Sequence, residues 1–426
     1  RSRGLGDVYK RQKINMKRFS RSSLTTMAVC LLFIPALLKA QPRPAHRKKV
    51  GVVLSGGGAK GMAHIGVLKV IEKAGIPIDY VVGTSMGSII GGLYSIGYSP
   101  EQLDSMVRRQ DWTFLLSDKI PRSEQNLSER DASQKYVFSI PFGKGVKAEV
   151  FGGLIRGQNL ANLFSELTIG YHDSINFNKL PIPFACVSEN IVNGNEVNFH
   201  EGVLATAMRA SMAIPGVFTP VRLDSMVLVD GGVVNNYPVN VARAMGADLI
   251  IGVDVQSELK PAGELNSAGA ILGQLVNLMG QDLYKKNLKE TTTYIKVNVE
   301  GYSAASFTPS AIDTLIMRGE EAAMAQDSAL MALKSQLGLD STYMPQPIPS
   351  YPYSPERKVY VKEITFDGLD EKDKKWLLKR CDLKENSEIS IRRIEEATAI
   401  LSANLGYSGA VSYTHLRAHE TVLDLV

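Results

Sequence analysis

The chain has 426 residues, 44% hydrophobic and 21% charged, with three cysteines. That composition fits a globular protein of about two domains and excludes a disulfide scaffold or a low-complexity chain. The formal charge of +5 belongs to the beginning: residues 1–40 hold nine Lys or Arg and one acid, leaving 39 basic and 42 acidic side chains, net −3, so the body offers no basis for a nucleic-acid partner.

Residues 1–15 and 411–426 match no structural pattern and read as sequence foreign to what lies between; the native chain is expected to continue past residue 410. From Met16, the basic residues Lys17, Arg18 and Arg21 precede an apolar run, Met27–Leu38. This reads as a signal peptide over 16–40, cleaved after Ala40, and so as an exported protein. The run is short for a transmembrane span, and an uncleaved anchor is the alternative. Cys186 and Cys381 remain after cleavage, in different expected domains, and no Cys/His spacing suggests a metal site.

Val50–Ser55 is suited to a buried strand. The glycine loop Gly56-Gly57-Gly58-Ala59-Lys60-Gly61 follows, then Ile65, Leu68 and Ile71 at helical spacing, ending by Gly75. Tyr80–Val82 predicts a second strand, and Ile89, Leu93 and Ile96 a second helix; Phe184–Val187, Met226–Val229 and Leu249–Val253 are further strands. The alternation predicts an α/β fold with a mostly parallel central sheet flanked by helices. Residues 262–340 read as mainly helical, and residues 345–357, with five prolines, as a stiff linker. Beyond it, a strand at Val359–Phe366 and helices at Lys372–Lys379 and Ile391–Leu405 form a small α+β unit.

The most informative motif is Gly83-Thr84-Ser85-Met86-Gly87, between a strand and a helix. There the chain turns sharply and lifts the serine clear of the sheet. The Met86 amide then lies at the positive end of the following helix, beside the serine. A glycine-flanked turn without chemistry is the bland alternative. Amides of the Gly56–Gly61 loop suit an oxyanion, and they also suit a phosphate. Gly56, Gly58 and Gly61 satisfy the dinucleotide fingerprint, with Asp79 near the distance for a ribose-binding acid. Against that, Asp79 precedes the second strand where such an acid belongs at its end, and Met62 after Gly61 excludes a phosphate-binding P-loop.

Asp230-Gly231-Gly232 follows the strand Met226–Val229 and places a carboxylate at a strand end. A serine needs a base. His46, His64, His172 and His200 all precede Asp230, and His415 and His419 lie in the foreign-looking tail, so the Ser-Asp-His order of α/β-hydrolases is not met. A Ser85–Asp230 pair fits better; an Asp-Gly turn with no catalytic part is the alternative.

These motifs, in this order over about residues 48–340, together with Arg209–Phe218 and Asn236-Tyr237-Pro238, resemble the patatin-like phospholipase family. The resemblance implies Ser85 as nucleophile, Asp230 as its base, and an oxyanion hole from Gly56, Gly57, Gly58 and Met86. Lys60, Gly61, Gly83, Gly87, Gly231 and Gly232 would support the motifs. It implies a serine lipid acyl hydrolase acting on phospholipids or related esters at a membrane surface, with no metal and no cofactor. Lys60 stands where the family usually has Arg, keeping the charge without the fork. Residues 358–410, truncated at their end, are similar to a POTRA module of the kind found before outer-membrane barrels. That implies a bacterial envelope protein associated with the outer membrane. A non-catalytic scaffold serving the POTRA-like part is the competing reading.

Overall fold

The computed structural model describes residues 47–118, 153–171, 173–266, 278–348, 371–394 and 396–397, with scattered residues at 271–274 and 356–364. The signal peptide, both foreign-looking ends, His46, His172 and residues 398–410 lie outside the described residues.

An eight-stranded sheet organises the chain. Its strands are β1 (Val50–Leu54), β2 (Tyr80–Thr84), β3 (Phe184–Asn190), β4 (Asn195–Phe199), β5 (Val221–Leu223), β6 (Met226–Asp230), β7 (Leu249–Asp254) and β8 (Thr293–Lys296). The order is β8-β7-β1-β2-β3-β6-β5, with β4 paired to the other side of β3. Strands β8, β7, β1, β2 and β3 run parallel; β6, β5 and β4 are joined antiparallel. Every residue of β1, β3 and β7 is buried, which is why their apolar stretches, Val50–Leu54, Phe184–Val187 and Leu249–Val253, do not alternate with polar residues. Along β1, Val50, Val52 and Leu54 pack into the larger core cluster, while Val53 joins the smaller cluster on the opposite face with Val82, Tyr237 and Ile250. Both faces are thus covered, as the two-residue period of a strand requires.

One feature of the register decides where the chemistry can sit. Strand β2 lies along β3 as far as Thr84, opposite Val187. Strand β6 takes over the same edge from the other direction, ending with Asp230 opposite Ser188. Strand β4 occupies the opposite edge of β3 from Cys186 to Asn190. Two strands therefore approach each other head-on along one edge, and their last residues face consecutive residues of β3.

The principal helices are α1 (Ala63–Lys73), α2 (Met86–Ser95), α3 (Pro100–Arg109), α4 (Gln158–Leu167), α5 (Leu204–Ser211) and α6 (Pro309–Met324). Helix α3 starts at a capping box, with Ser99 accepting from the Gln102 amide and Gln102 returning the bond to the Ser99 amide. Lys69 on α1 reaches both Asp104 on α3 and Glu320 on α6, tying three helices together on one face.

The α/β class holds, with departures in detail. Residues 262–340 contain strand β8, four residues too short for periodicity to separate from the helices around them. The strand at Phe184 continues to Asn190 and folds back as a hairpin onto β4, because Asn193 and Gly194 supply the turn. After the linker, Lys358–Val361 pairs antiparallel with Ser387–Ser390, an additional strand, and Glu371–Arg380 is helical. Of the strand expected over Val359–Phe366, the described part ends at Val361, and Phe366 lies outside the described residues.

Candidate active site

Ser85 stands between β2 and α2 with φ 54° and ψ −122°, a conformation that L-residues rarely adopt. Such backbone costs on the order of 1–3 kcal/mol and persists only where surroundings enforce it. The enforcement is visible. A Cβ on Gly83 would lie 2.3 Å from the Gly87 carbonyl oxygen, and one on Gly87 would lie 2.2 Å from that of Leu54, so only glycines let the turn close against β1. The Ser85 amide donates to Ser211 Oγ at 3.0 Å. Ser88 Oγ donates to the Ser85 carbonyl at 2.6 Å.

The buried Ser85 hydroxyl donates to Asp230 Oδ2 at 2.6 Å. The other carboxylate oxygen, Oδ1, accepts from the Gly232 amide at 2.7 Å, which fixes the carboxylate plane. Burial raises the Asp230 carboxyl to about 6, against the opposing pull of its bonds from Ser85 and Gly232. A carboxylate poised there is ionised at neutral pH and basic enough to take a proton. A Cβ on Gly231 would sit 2.2 Å from the Val187 carbonyl oxygen, so the chain leaves Asp230 pressed against β3.

The loop after Asp230 laces the site together. Thr84 Oγ1 donates to the Asn235 carbonyl at 2.9 Å, and the Gly56 amide donates to the Asn236 carbonyl at 3.2 Å. That second bond corrects one expectation: the Gly56 amide is engaged by protein and is a spacer in the loop, not an oxyanion donor. Ala59 is likewise tied, to the Ala304 carbonyl at 2.8 Å. Among the described residues the amides of Gly57, Gly58 and Met86 have no protein acceptor. Gly58 has φ +57°, and a Cβ there would meet the Ala304 carbonyl oxygen at 2.4 Å. Gly61 packs on Met86, where a Cβ would lie 2.4 Å from Cγ.

Lys60 does not present its charge to Ser85. Its ammonium donates to Ser257 Oγ at 2.8 Å, and burial, with Lys296 nearby, lowers it to about 8. It staples the glycine loop to the segment after β7. Asp254 at the end of β7 is buried beside it and accepts from Tyr284, Tyr294 and Lys296. His64 is fully buried and held at about 4 by burial. Its Nε2 lies 2.8 Å from the Ser55 carbonyl, which can only accept, so Nε2 carries the proton and the ring is neutral. The His200 carbonyl accepts from the Phe177 amide at 2.8 Å.

Ser85 opens into a cavity of about 330 Å³ between α2, α3, α4 and the segment after α5. Apart from Ser85, the described lining is glycine, alanine, aliphatic, methionine and aromatic, including Met62, Ile89, Phe164, Met212 and Val217. A hydroxyl at the edge of an apolar chamber can hold an acyl chain next to its ester carbon.

The structure brings together Ser85 and Asp230, which the sequence singled out; the sequence did not single out Ser211, Asn236 or the cavity. Ser211 and Asn236 lie inside segments quoted for the resemblance, yet nothing local marks a hydroxyl or a backbone carbonyl as a strut. The cavity is assembled from distant helices and has no local signature.

Residues 52–243 match the patatin-like phospholipase family. The chain is 31% identical to lysophospholipase NTE1 of Candida albicans over 221 residues, 50% of this chain and 14% of that protein. It is 29% identical over 230 residues to an uncharacterized NTE family protein of Mycobacterium tuberculosis, 54% of this chain and 55% of that one. It is 32% identical over 211 residues to patatin-like phospholipase domain-containing protein 6 of Mus musculus, 49% of this chain and 14% of that one. The chain thus spans about half, or less, of the length of these relatives.

Proposed function

We propose that this chain, whose residues 52–243 match the patatin-like phospholipase family, is a serine lipid acyl hydrolase of the phospholipase A type working through a Ser85–Asp230 dyad. The observation that carries this reading is the 2.6 Å bond from Ser85 Oγ to a buried carboxylate at the edge of an apolar cavity.

In the first half-reaction Ser85 Oγ attacks the ester carbon as its proton passes to Asp230 Oδ2. Charge gathers on the carbonyl oxygen, and the amides of Gly57, Gly58 and Met86 stabilise it. The leaving alcohol takes the proton from Asp230 as the C–O bond breaks, leaving an acyl-serine. Water then attacks that ester with Asp230 again accepting the proton, and the serine is regenerated as the fatty acid departs. No imidazole is needed, because the carboxylate is already raised into the range where it exchanges protons near neutral pH.

The substrate in this reading is a phospholipid or related lipid ester at a membrane surface. The leader over 16–40 exports the enzyme to a bacterial cell envelope, and the POTRA-like unit after the linker associates it with the outer membrane. Fractionation of the native cells tests the placement: activity in the cytosol alone would remove it.

The chemistry is tested by an organophosphonate serine probe. We expect labelling at Ser85 in the wild type and none in Ser85→Ala, with ester hydrolysis lost by several orders of magnitude. Retention of most activity in Ser85→Ala would place the nucleophile elsewhere.

A further inference from the structure

Beside the catalytic cavity lies a second cleft of about 450 Å³, lined by Arg108, Gln110, Asp111, Thr113 and Asp313 together with Pro309 and Ile312. Its lining is mixed, with charged and polar side chains among apolar ones, where the first is apolar apart from Ser85. Arg108 is paired with Asp104 and Asp313. Two residues line both spaces, Trp112 and Phe307. Their rings stack with centroids 4.8 Å apart and planes inclined by 26°. The pair is a partition between an apolar chamber and one of mixed lining.

The partition is held from both sides. Trp112 begins a short helix capped by Asp111, and its indole Nε1 donates to the Val107 carbonyl at the end of α3 at 2.9 Å. Phe307 belongs to the loop whose Ala304 carbonyl accepts the Ala59 amide, so the same loop braces the oxyanion segment. Neither ring is free to swing away without releasing a bond or a stack.

Resting on the hydrolase reading above, we propose that the Trp112–Phe307 pair sets acyl-chain length. An acyl chain attached at Ser85 gains by burial for as long as it runs along apolar lining. Where it meets the two rings that gain falls, because the space beyond brings Arg108, Asp111 and Asp313 in among Pro309 and Ile312. Chains that fill the chamber up to the rings are favoured, and longer ones must bend or leave methylenes outside. Each methylene admitted to or refused from an apolar pocket changes selection by about tenfold or more. Truncating either ring joins the two spaces and relaxes the limit.

The test is the kcat/KM profile across saturated p-nitrophenyl esters of increasing chain length. Trp112→Ala and Phe307→Leu should each raise the ratio for long over short esters by about tenfold or more relative to wild type. Thr113→Trp, which fills the second cleft from its exposed rim, should leave the wild-type profile in place but cancel the gain when combined with Trp112→Ala. Should Trp112→Ala not fold, as judged by its thermal melt, Phe307→Leu carries the test, since it keeps an apolar side chain and removes the stack. Equal ratios in wild type and both variants, with Ser85 still taking a phosphonate, overturn the proposal and leave the hydrolase reading standing. A wild-type protein that cleaves no ester and takes no phosphonate overturns both.

Discussion

Ser211 Oγ accepts the amide proton of Ser85 at 3.0 Å and gives its own proton to the Val187 carbonyl at 2.6 Å. One hydroxyl at the end of α5 thereby fixes the strained serine to the strand on which the Asp230 strand also ends.

Ser211→Ala removes that strut and leaves a buried amide without its acceptor, a loss of about 1–3 kcal/mol in stability. Displacing Ser85 from its partner should lower kcat by about ten- to a hundredfold with KM nearly unchanged. Denaturant melts and steady-state kinetics on one ester read both effects, and an unchanged kcat would mean the elbow holds its shape without Ser211.

The Asp230 carboxyl titrates at about 6 because it is buried, so kcat/KM should climb about tenfold per pH unit below that value and level off above it. The stability consequence has a definite sign. The folded protein binds this proton more tightly than the unfolded chain, whose carboxyl lies near 3.8. The stabilisation is therefore full below about 3.8 and is lost as pH rises through about 6. Asp230→Asn removes the ionisation. Its melting temperature relative to wild type should increase across that window, while its activity falls nearly as far as that of Ser85→Ala. A pH-independent difference in melting temperature would show that Asp230 is not raised.

Gly58→Ala forces a left-handed residue to carry a side chain and drives it into the Ala304 carbonyl. The loop must shift and its amides with it. Loss of one oxyanion donor typically costs about a hundred- to a thousandfold in kcat. We expect that loss with a preserved fold by circular dichroism; a variant of normal kcat would place the oxyanion donors elsewhere.

His64 is neutral and donates to the Ser55 carbonyl, so its part is to hold the end of β1 under the glycine loop. His64→Ala should cost about 1–3 kcal/mol by baring that carbonyl, but should lower kcat far less than Ser85→Ala does. Inactivity equal to that of Ser85→Ala in a folded protein would restore a histidine base.

Much of this site was legible in the amino-acid sequence because backbone geometry imposes residue type. Gly83 and Gly87 are glycines since a methyl there meets a carbonyl, and such constraints are local enough to read. The buried strands β1 and β7 were legible from apolar runs, and α1 from its spacing. What escaped was set by distance. Strand β8 is recognisable only by its pairing with β7. The antiparallel entry of β6 cannot be read from Met226–Asp230 alone, because a strand's own pattern does not encode the direction of its neighbour. The Gly56 amide looked like a donor until Asn236, 180 positions on, was found to occupy it. Trp112 and Phe307 carry no mark of being partners.

The head-on meeting of β2 and β6 along β3 has a consequence for when the protein becomes active. Ser85 and Asp230 are 145 residues apart in the chain, and neither approaches the other until β3 is in place between the helices. A slip of β6 by one residue would turn Asp230 to the opposite face of the sheet. Hydrolytic competence is thus a property of the completed sheet in its native register. A nascent or unfolded chain, with all the same side chains, has no paired serine.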